Sequence, residues 1–259
     1  MNIMWLGTAS LFLETDNTRI VFDPFLEMPA AETIRKTKIF HDTNDVCITH
    51  GHFDHIAHMK KLYQNYPVTI HCTSTPKNTL IKEGLPEWYF HEIHPDDAFR
   101  IGDFDIRIFQ ARHCVFDAGI IRKKLLSLKT WKRPEMVVDF FRLSKKYPEN
   151  GEMILYDIHA ESIHLQILGS MGLDPDVQYP EGADVLILAL QGRSDQDISA
   201  LDLVERLKPK KVLLYHIDDA FAPISEDVDT SGFVRNVKEK FDIPCRPMEK
   251  YIRLNPEEL

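Results

Sequence analysis

The sequence predicts an α/β fold in which two β-sheets pack face to face with helices outside, a four-layer αββα sandwich. Three observations predict it. Short apolar runs broken by turn residues fill the first half of the chain, the same pattern returns in the second half, and helical periodicity flanks both. The chain has 259 residues and is 44% hydrophobic, enough to bury a full core. No Pro/Gly/Ser-rich linker interrupts it, so one domain over 1–259 is expected.

In chain order, strands are expected at Ile3–Leu6, Ser10–Glu14, Arg19–Phe22, Val46–Thr49, Val68–His71, Ala98–Ile101 and Phe104–Phe109. Asp16-Asn17 and Gly102-Asp103 are turn dipeptides that would close hairpins between neighbours. Helical spacing follows residue 54 (Ile56, Met59, Leu62, Tyr63) and covers Pro76–Glu83, where Ser74-Thr75-Pro76 has the look of a capped start. Met153–Ile158 and Ile163–Leu168 form a second hairpin. Asp184–Leu190 and Lys211–His216 are apolar strands separated by the amphipathic segment Ile198–Leu207, and Thr230–Phe241 is a last helix before Pro244. Two strand-rich halves, each with flanking helices, suggest two sheets packed face to face with helices outside.

Residues 117–150 break this pattern. They hold nine Lys/Arg against four Asp/Glu in a chain of net charge -9. Ile121, Leu125 and Leu128, then Met136, Val137, Phe140 and Phe141, recur at helical spacing on either side of Pro134. The segment is expected to be a basic two-helix insert, folded as a cap over the site or as a contact between copies in a homo-oligomer.

The acidic balance argues against a protein whose whole surface is a platform for nucleic acid or anionic lipid. Cys47, Cys72, Cys114 and Cys245 are scattered, form no CxxC pair and are expected to be reduced thiols. Met1–Gly7 lacks the pattern of a signal peptide and no apolar run has the length of a membrane span, so a cytoplasmic location is the expectation.

Thr49-His50-Gly51-His52-Phe53-Asp54-His55 places three imidazoles and a carboxylate within six residues, directly after an apolar strand. Imidazole and carboxylate are the donors that zinc-like ions take, and histidines two apart in an extended turn can reach one ion. Gly51 would allow the tight bend between them.

HGHFDH resembles the HxHxDH signature of the metallo-β-lactamase superfamily, a specific motif, and the resemblance extends over nearly the whole chain. Trp5–Ala9 followed by Val21-Phe22-Asp23-Pro24-Phe25 is similar to the opening hairpin and DP turn of the branch that includes ascorbate-6-phosphate lactonase. His113 after Ile106–Ala111 matches the third histidine of the first metal site, and His216 after Val212–Tyr215 the last histidine of the second. The resemblance therefore implies the metallo-β-lactamase type of αββα sandwich, a first ion on His50, His52 and His113, and a second on Asp54, His55 and His216. It also implies that Asp54 and His55 are catalytic, with a metal-activated water as nucleophile. Zinc is the first expectation, with manganese or iron compatible with the same donors. Asp23 reads as a buried carboxylate supporting the ligand loop, or as a plain turn residue before Pro24.

One position departs from the family's pattern. Gly169-Ser170-Met171-Gly172 stands where an aspartate usually bridges the two ions. Three outcomes stay open: a single ion on the three histidines, two ions with Ser170 or water in the gap, or a rearrangement using Asp218 or Asp219. Cys114 is expected to turn away from the metal by strand alternation. His41, His58, His71, His91, His94, His159 and His164 lack motif context and read as surface or hydrogen-bonded histidines.

The function expected is metal-dependent hydrolysis of a small anionic or cyclic-ester molecule, a phosphodiester or a lactone, with Arg122 and Lys123 of the insert holding its negative charge. A non-catalytic sensor that keeps the fold and an ion is the alternative. A nuclease ranks third, because the chain is acidic and has no room for an added nucleic-acid domain.

Overall fold

Alternation along β1 (Asn2–Gly7) sets the architecture: Ile3 and Trp5 face one buried cluster, Met4 and Leu6 another. A strand buried on both faces must lie between two layers. The computed structural model describes residues 1–25, 43–65, 68–119, 122, 132–219 and 225–258.

The first sheet joins β1 to β2 (Ser10–Glu14), β3 (Arg19–Phe22), β4 (Asp45–Cys47), β5 (Thr69–Cys72) and β6 (Phe90–Glu92), with β14 (Arg253–Leu254) on the free edge of β1. It is antiparallel from β14 to β3 and parallel from β3 to β6. The second sheet runs from β7 (Ala98–Ile101) through β8 (Phe104–Ala111), β9 (Met153–Ala160), β10 (Ile163–Leu168), β11 (Val185–Ala189) and β12 (Val212–Tyr215) to β13 (Cys245–Pro247). It too is antiparallel first, then parallel from β10 onward.

Both turn dipeptides close hairpins, β2–β3 and β7–β8. The sheets do not follow the two halves of the chain. β7 and β8 leave the first half for the second sheet, and β14 returns from the C-terminus to cover β1. Pairing is decided by which apolar face meets which, a long-range choice that local alternation does not encode. β6, β13 and β14 span two or three residues each, too short to show a period.

Leu11, Leu13, Ile20 and Phe22 of the first sheet meet Phe104, Ile106, Tyr156, Ile158, Leu165 and Ile187 of the second. Phe22 and Tyr156 touch edge to face, ring centres 5.1 Å apart. Each such fully buried side chain contributes roughly 1.5–3 kcal/mol. Outside the first sheet lie α1 (Phe53–Ile56), α2 (Met59–Asn65) and α3 (Ser74–Lys82); outside the second lie α5 (Gln196–Ser199), α6 (Leu201–Leu207) and α7 (Ser231–Phe241). The expected four layers are present.

Local departures have local causes. The strand expected to reach Thr49 leaves the ladder at Cys47, because the Thr49 N–H turns to the Asp23 carboxylate. α3 is capped from a distance: Glu152 accepts from Ser74 Oγ and Thr75 N, both at 2.7 Å. The expected segment Ile198–Leu207 is two helices meeting at Ala200, and only the second buries apolar residues, Leu203, Val204 and Leu207.

Of the basic insert, α4 (Pro134–Lys146) is described, while residues 120, 121 and 123–131, Ile121 and Lys123 included, lie outside the described residues. α4 packs Phe140 and Leu143 against the outer cluster of the first sheet, with the Phe140 ring edge-on to Phe53 of α1 at 5.7 Å, and Met136 is buried as well. Phe141, expected in that stripe, faces solvent, since Phe53 selects the Phe140 side of the helix. All four cysteines are free. No helix among the described residues is long and apolar enough to cross a membrane.

Candidate metal centre

Topology brings the loops together. β3, β4, β8, β10 and β12 all end at one edge of the sandwich, because β3 and β4 are parallel, and β8, β10 and β12 share one direction through the antiparallel β9. Asp23 follows β3, the His50–His55 loop follows β4, His113 follows β8, Ser170 follows β10 and His216 follows β12. Three non-glycine residues at this edge hold left-handed backbone, Thr8 (φ 48°), Asp23 (φ 44°) and His216 (φ 57°). Strain of this kind persists only where surrounding contacts over-determine it.

Donor atoms of His50, His52 and His113 lie within 4.8 Å of one another, and so do those of Asp54, His55 and His216. The triads abut: His50 and His55 rings are 3.8 Å apart, His52 and His113 rings 4.4 Å, and His216 Nε2 lies 3.1 Å from Asp54 Oδ2.

Hydrogen bonds behind the rings fix their tautomers. Asp23, fully buried, accepts from Thr49 N and Thr49 Oγ1, both at 2.7 Å, and from His55 Nδ1 at 2.9 Å. The Thr49 hydroxyl has one proton and gives it to Asp23, so at His50 Nδ1, 3.0 Å away, it accepts. His113 Nδ1 donates to the Cys114 carbonyl at 2.9 Å. His50, His55 and His113 therefore carry their protons on Nδ1 and turn bare Nε2 atoms toward the site. Ligating histidines are held in this way.

Electrostatics agree. Burial and the neighbouring imidazoles push His50 far below the usual histidine range, and burial takes His52 down to about 4. Both are neutral at physiological pH, the form that offers a lone pair. Burial alone would raise Asp54, but His55 and His216 hold its carboxyl well below the carboxylate range. Burial would lower His113 and His216, yet Cys114 raises the first and Asp54 the second. His50 Nε2 faces His52 Nδ1 at 3.2 Å, a separation that requires a proton or a cation between two lone pairs. His216 Nδ1 is buried without a hydrogen-bond partner among the described residues. The donor set fits a divalent ion of the zinc class.

Sequence reasoning overlooked two residues here. Thr49 links Asp23 to His50 and His55, and only the fold shows its hydroxyl turned inward. Pro148 presses on the ligand loop, so that a Cβ on Gly51 would fall 2.4 Å from its carbonyl oxygen. Gly51 is thus required by close approach rather than by a left-handed bend.

Asp218 does not join either triad: its Oδ2 accepts from Thr8 N at 2.9 Å and pairs with Lys250 Nζ at 2.9 Å. Asp219 is exposed, and residues 220–224 lie outside the described residues. Cys114 sits three residues beyond β8, so strand alternation does not orient it; its thiol bonds the Gln191 carbonyl at 3.5 Å. Ser170 is buried, with Oγ accepting from Cys114 N at 3.2 Å.

The family described as "Beta-lactamase superfamily domain" matches residues 2–216. The chain belongs to this superfamily. A UPF0173 metal-dependent hydrolase of Carboxydothermus hydrogenoformans is 26% identical over 221 residues, 83% of this chain and 84% of the relative. Among solved structures, Igni18, a metallo hydrolase from Ignicoccus hospitalis, aligns over 98% of this chain and 97% of its own, with TM-score 0.65 and 17% identity. The metallo-beta-lactamase fold protein YhfI from Bacillus subtilis covers 98% and 99%, with TM-score 0.65 and 13% identity.

Proposed function

We propose that this superfamily member is a metal-dependent hydrolase of a small anionic or cyclic ester, a phosphodiester or a lactone. The observation that carries the reading is the pair of abutting donor triads, with ring protons held on the far side of His50, His55 and His113. A divalent ion bound there, zinc first among those the donors suit, lowers the pKa of a coordinated water from 15.7 towards about 7. His50, His52 and His113 hold the first ion, and Asp54, His55 and His216 offer the second position. Asp54, kept ionised by its histidine neighbours, accepts a hydrogen bond from the attacking water and aims it; so depressed a carboxyl is a poor proton acceptor, so its role is orientation. His55, braced by Asp23, presents its bare Nε2 beside that carboxylate, 3.9 Å from Asp54 Oδ2.

Phe116, half exposed, lies 6.3 Å from the His113 ring and sets an apolar face beside the donors. The 115–119 stretch is anchored to the loop after β11, where the Asp117 carboxylate accepts from Ser194 N and Oγ. The insert leaves from this rim. Its Arg133, Arg142 and Lys146 are already paired with Glu135, Asp139 and Glu83. The exposed Arg122 and its neighbour Lys123 are the cations of the insert nearest in sequence to this rim, and this reading assigns anion binding to them. Reversing both, Arg122→Glu with Lys123→Glu, is expected to raise KM for an anionic substrate about tenfold while leaving metal content unchanged. Unaltered KM would remove the cap role and leave the insert as an interface.

The direct test is turnover of a chromogenic phosphodiester and of a simple lactone by zinc-loaded and chelator-treated protein. Metal-dependent turnover of either is the expected result. Stoichiometric metal with no turnover of either would replace the hydrolase by a non-catalytic sensor.

Ser170 brings no charge to offset two dications, so the second ion should bind more weakly than the first. Ser170→Asp is expected to raise bound metal towards two equivalents, read by elemental analysis after gel filtration. Two tightly bound equivalents in the unaltered protein would mean that another group supplies the missing charge.

A further inference from the structure

The opposite edge of the second sheet carries another donor cluster, which neither the motif nor the proposed reaction uses. Asp157 and His159 lie two apart on β9 and share a face; His164 pairs directly with His159 across the β9–β10 ladder, and Gln166 with Asp157. Because β9 begins at the metal-centre edge and runs away from it, this cluster lies four to six residues further along, roughly 13–20 Å by strand rise.

The donors converge. His159 and His164 rings stack with centres 4.2 Å apart and planes 11° from parallel. Both Nε2 atoms face the same carboxylate, His164 at 2.6 Å from Asp157 Oδ1 and His159 at 3.8 Å from Oδ2. The ligand atoms of all three lie within 4.8 Å of one another. Asp157 is fully buried, and among the described residues its Oδ2 has no hydrogen-bond partner; Gln166 Oε1, in the same cluster, also has none there. Leaving a buried carboxylate oxygen unpaired is costly. Gln166 Nε2 donates to Asp157 Oδ1 at 3.0 Å and holds the carboxylate in place. The His159 side chain is 53% exposed, which opens the cluster to solvent on one side.

We propose that Asp157, His159 and His164 form a second, independent site for a zinc-class divalent ion, remote from the reaction centre. Two imidazoles and one carboxylate are a borderline donor set suited to zinc, with water completing the shell. Donors around a tetrahedral zinc ion at about 2.1 Å stand about 3.4 Å apart, close to the His159–Asp157 separation and wider than the His164–Asp157 hydrogen bond. On binding, His164 shifts its proton from Nε2 to Nδ1 and moves outward by a fraction of an ångström, and Oδ2 gains its missing partner. The ion pins the β9–β10 turn, whose Glu161 also pairs with the N-terminal ammonium group.

Zinc titration of the full-length protein, followed by two-dimensional ¹H–¹⁵N spectra of the imidazoles, tests the site residue by residue. His159 and His164 signals are expected to shift and to saturate with one equivalent beyond those that move His50 and His113. His159→Ala, at an exposed side chain, should lose that one equivalent and keep the turnover of the unaltered protein. Because the spectra report each ring separately, an inactive protein that still shows the shifts supports this site while removing the hydrolase reading. Unmoved His159 and His164 resonances at saturating zinc, or an unchanged metal count in His159→Ala, would overturn the proposal.

Discussion

His113→Ala is expected to empty the first triad and to lower kcat/KM roughly 10³-fold or more, about 4 kcal/mol of lost transition-state stabilisation. Residues that merely support a ligand cost 10–100-fold when removed, and His113 offers a donor atom directly. The chain should still fold, because His113 lies beyond the end of β8, only half-buried, outside all three apolar clusters. Elemental analysis, kcat/KM on whichever ester is turned over and a thermal melt separate loss of metal from loss of fold. His94→Ala, at an exposed ring away from both triads, serves as the control. A His113→Ala protein with normal metal and rate would show that the triad does not hold the ion.

Asp23→Ala should have the largest effect on stability. It removes one carboxylate and leaves three buried donors, Thr49 N, Thr49 Oγ1 and His55 Nδ1, facing a void. Each unsatisfied donor costs about 1–3 kcal/mol and the costs overlap, so a total near 3–5 kcal/mol is expected. A melt should fall by about 10 °C or more. Asp23→Asn isolates the tautomer effect: an amide NH₂ turned toward His55 Nδ1 favours a proton on His55 Nε2, where it blocks metal. Zinc affinity is then expected to fall 10–100-fold with a smaller loss of stability. Unchanged zinc affinity in Asp23→Asn would mean that His55 needs no carboxylate behind it.

Much of this site was legible because its donors are local. His50, His52, Asp54 and His55 sit in one turn, and the resemblance of that turn to a known signature also pointed to His113, Ser170 and His216 at three distant strand ends. Asp157, His159 and His164 carried no such sign. Their residues are ordinary, and only the β9–β10 register puts His159 opposite His164. α4 shows the same limit within one helix. Its apolar positions marked a helix, but Phe140 rather than Phe141 packs inward because Phe53 stands on that side.

By itself the sequence determined where the longer strands and helices form, since periods of two and 3.6 residues are written in neighbouring side chains, and which donors lie together in the ligand turn. Tertiary structure alone decided the sharing of β7, β8 and β14 between the sheets, the commitment of Asp218 to Thr8 and Lys250, the closeness of Pro148 that makes Gly51 necessary, and the Thr49 hydroxyl that sets the His50 tautomer. Each of those depends on contacts between residues far apart in the chain, whose free energies arise only when apolar faces have chosen their partners and buried polar groups must find theirs.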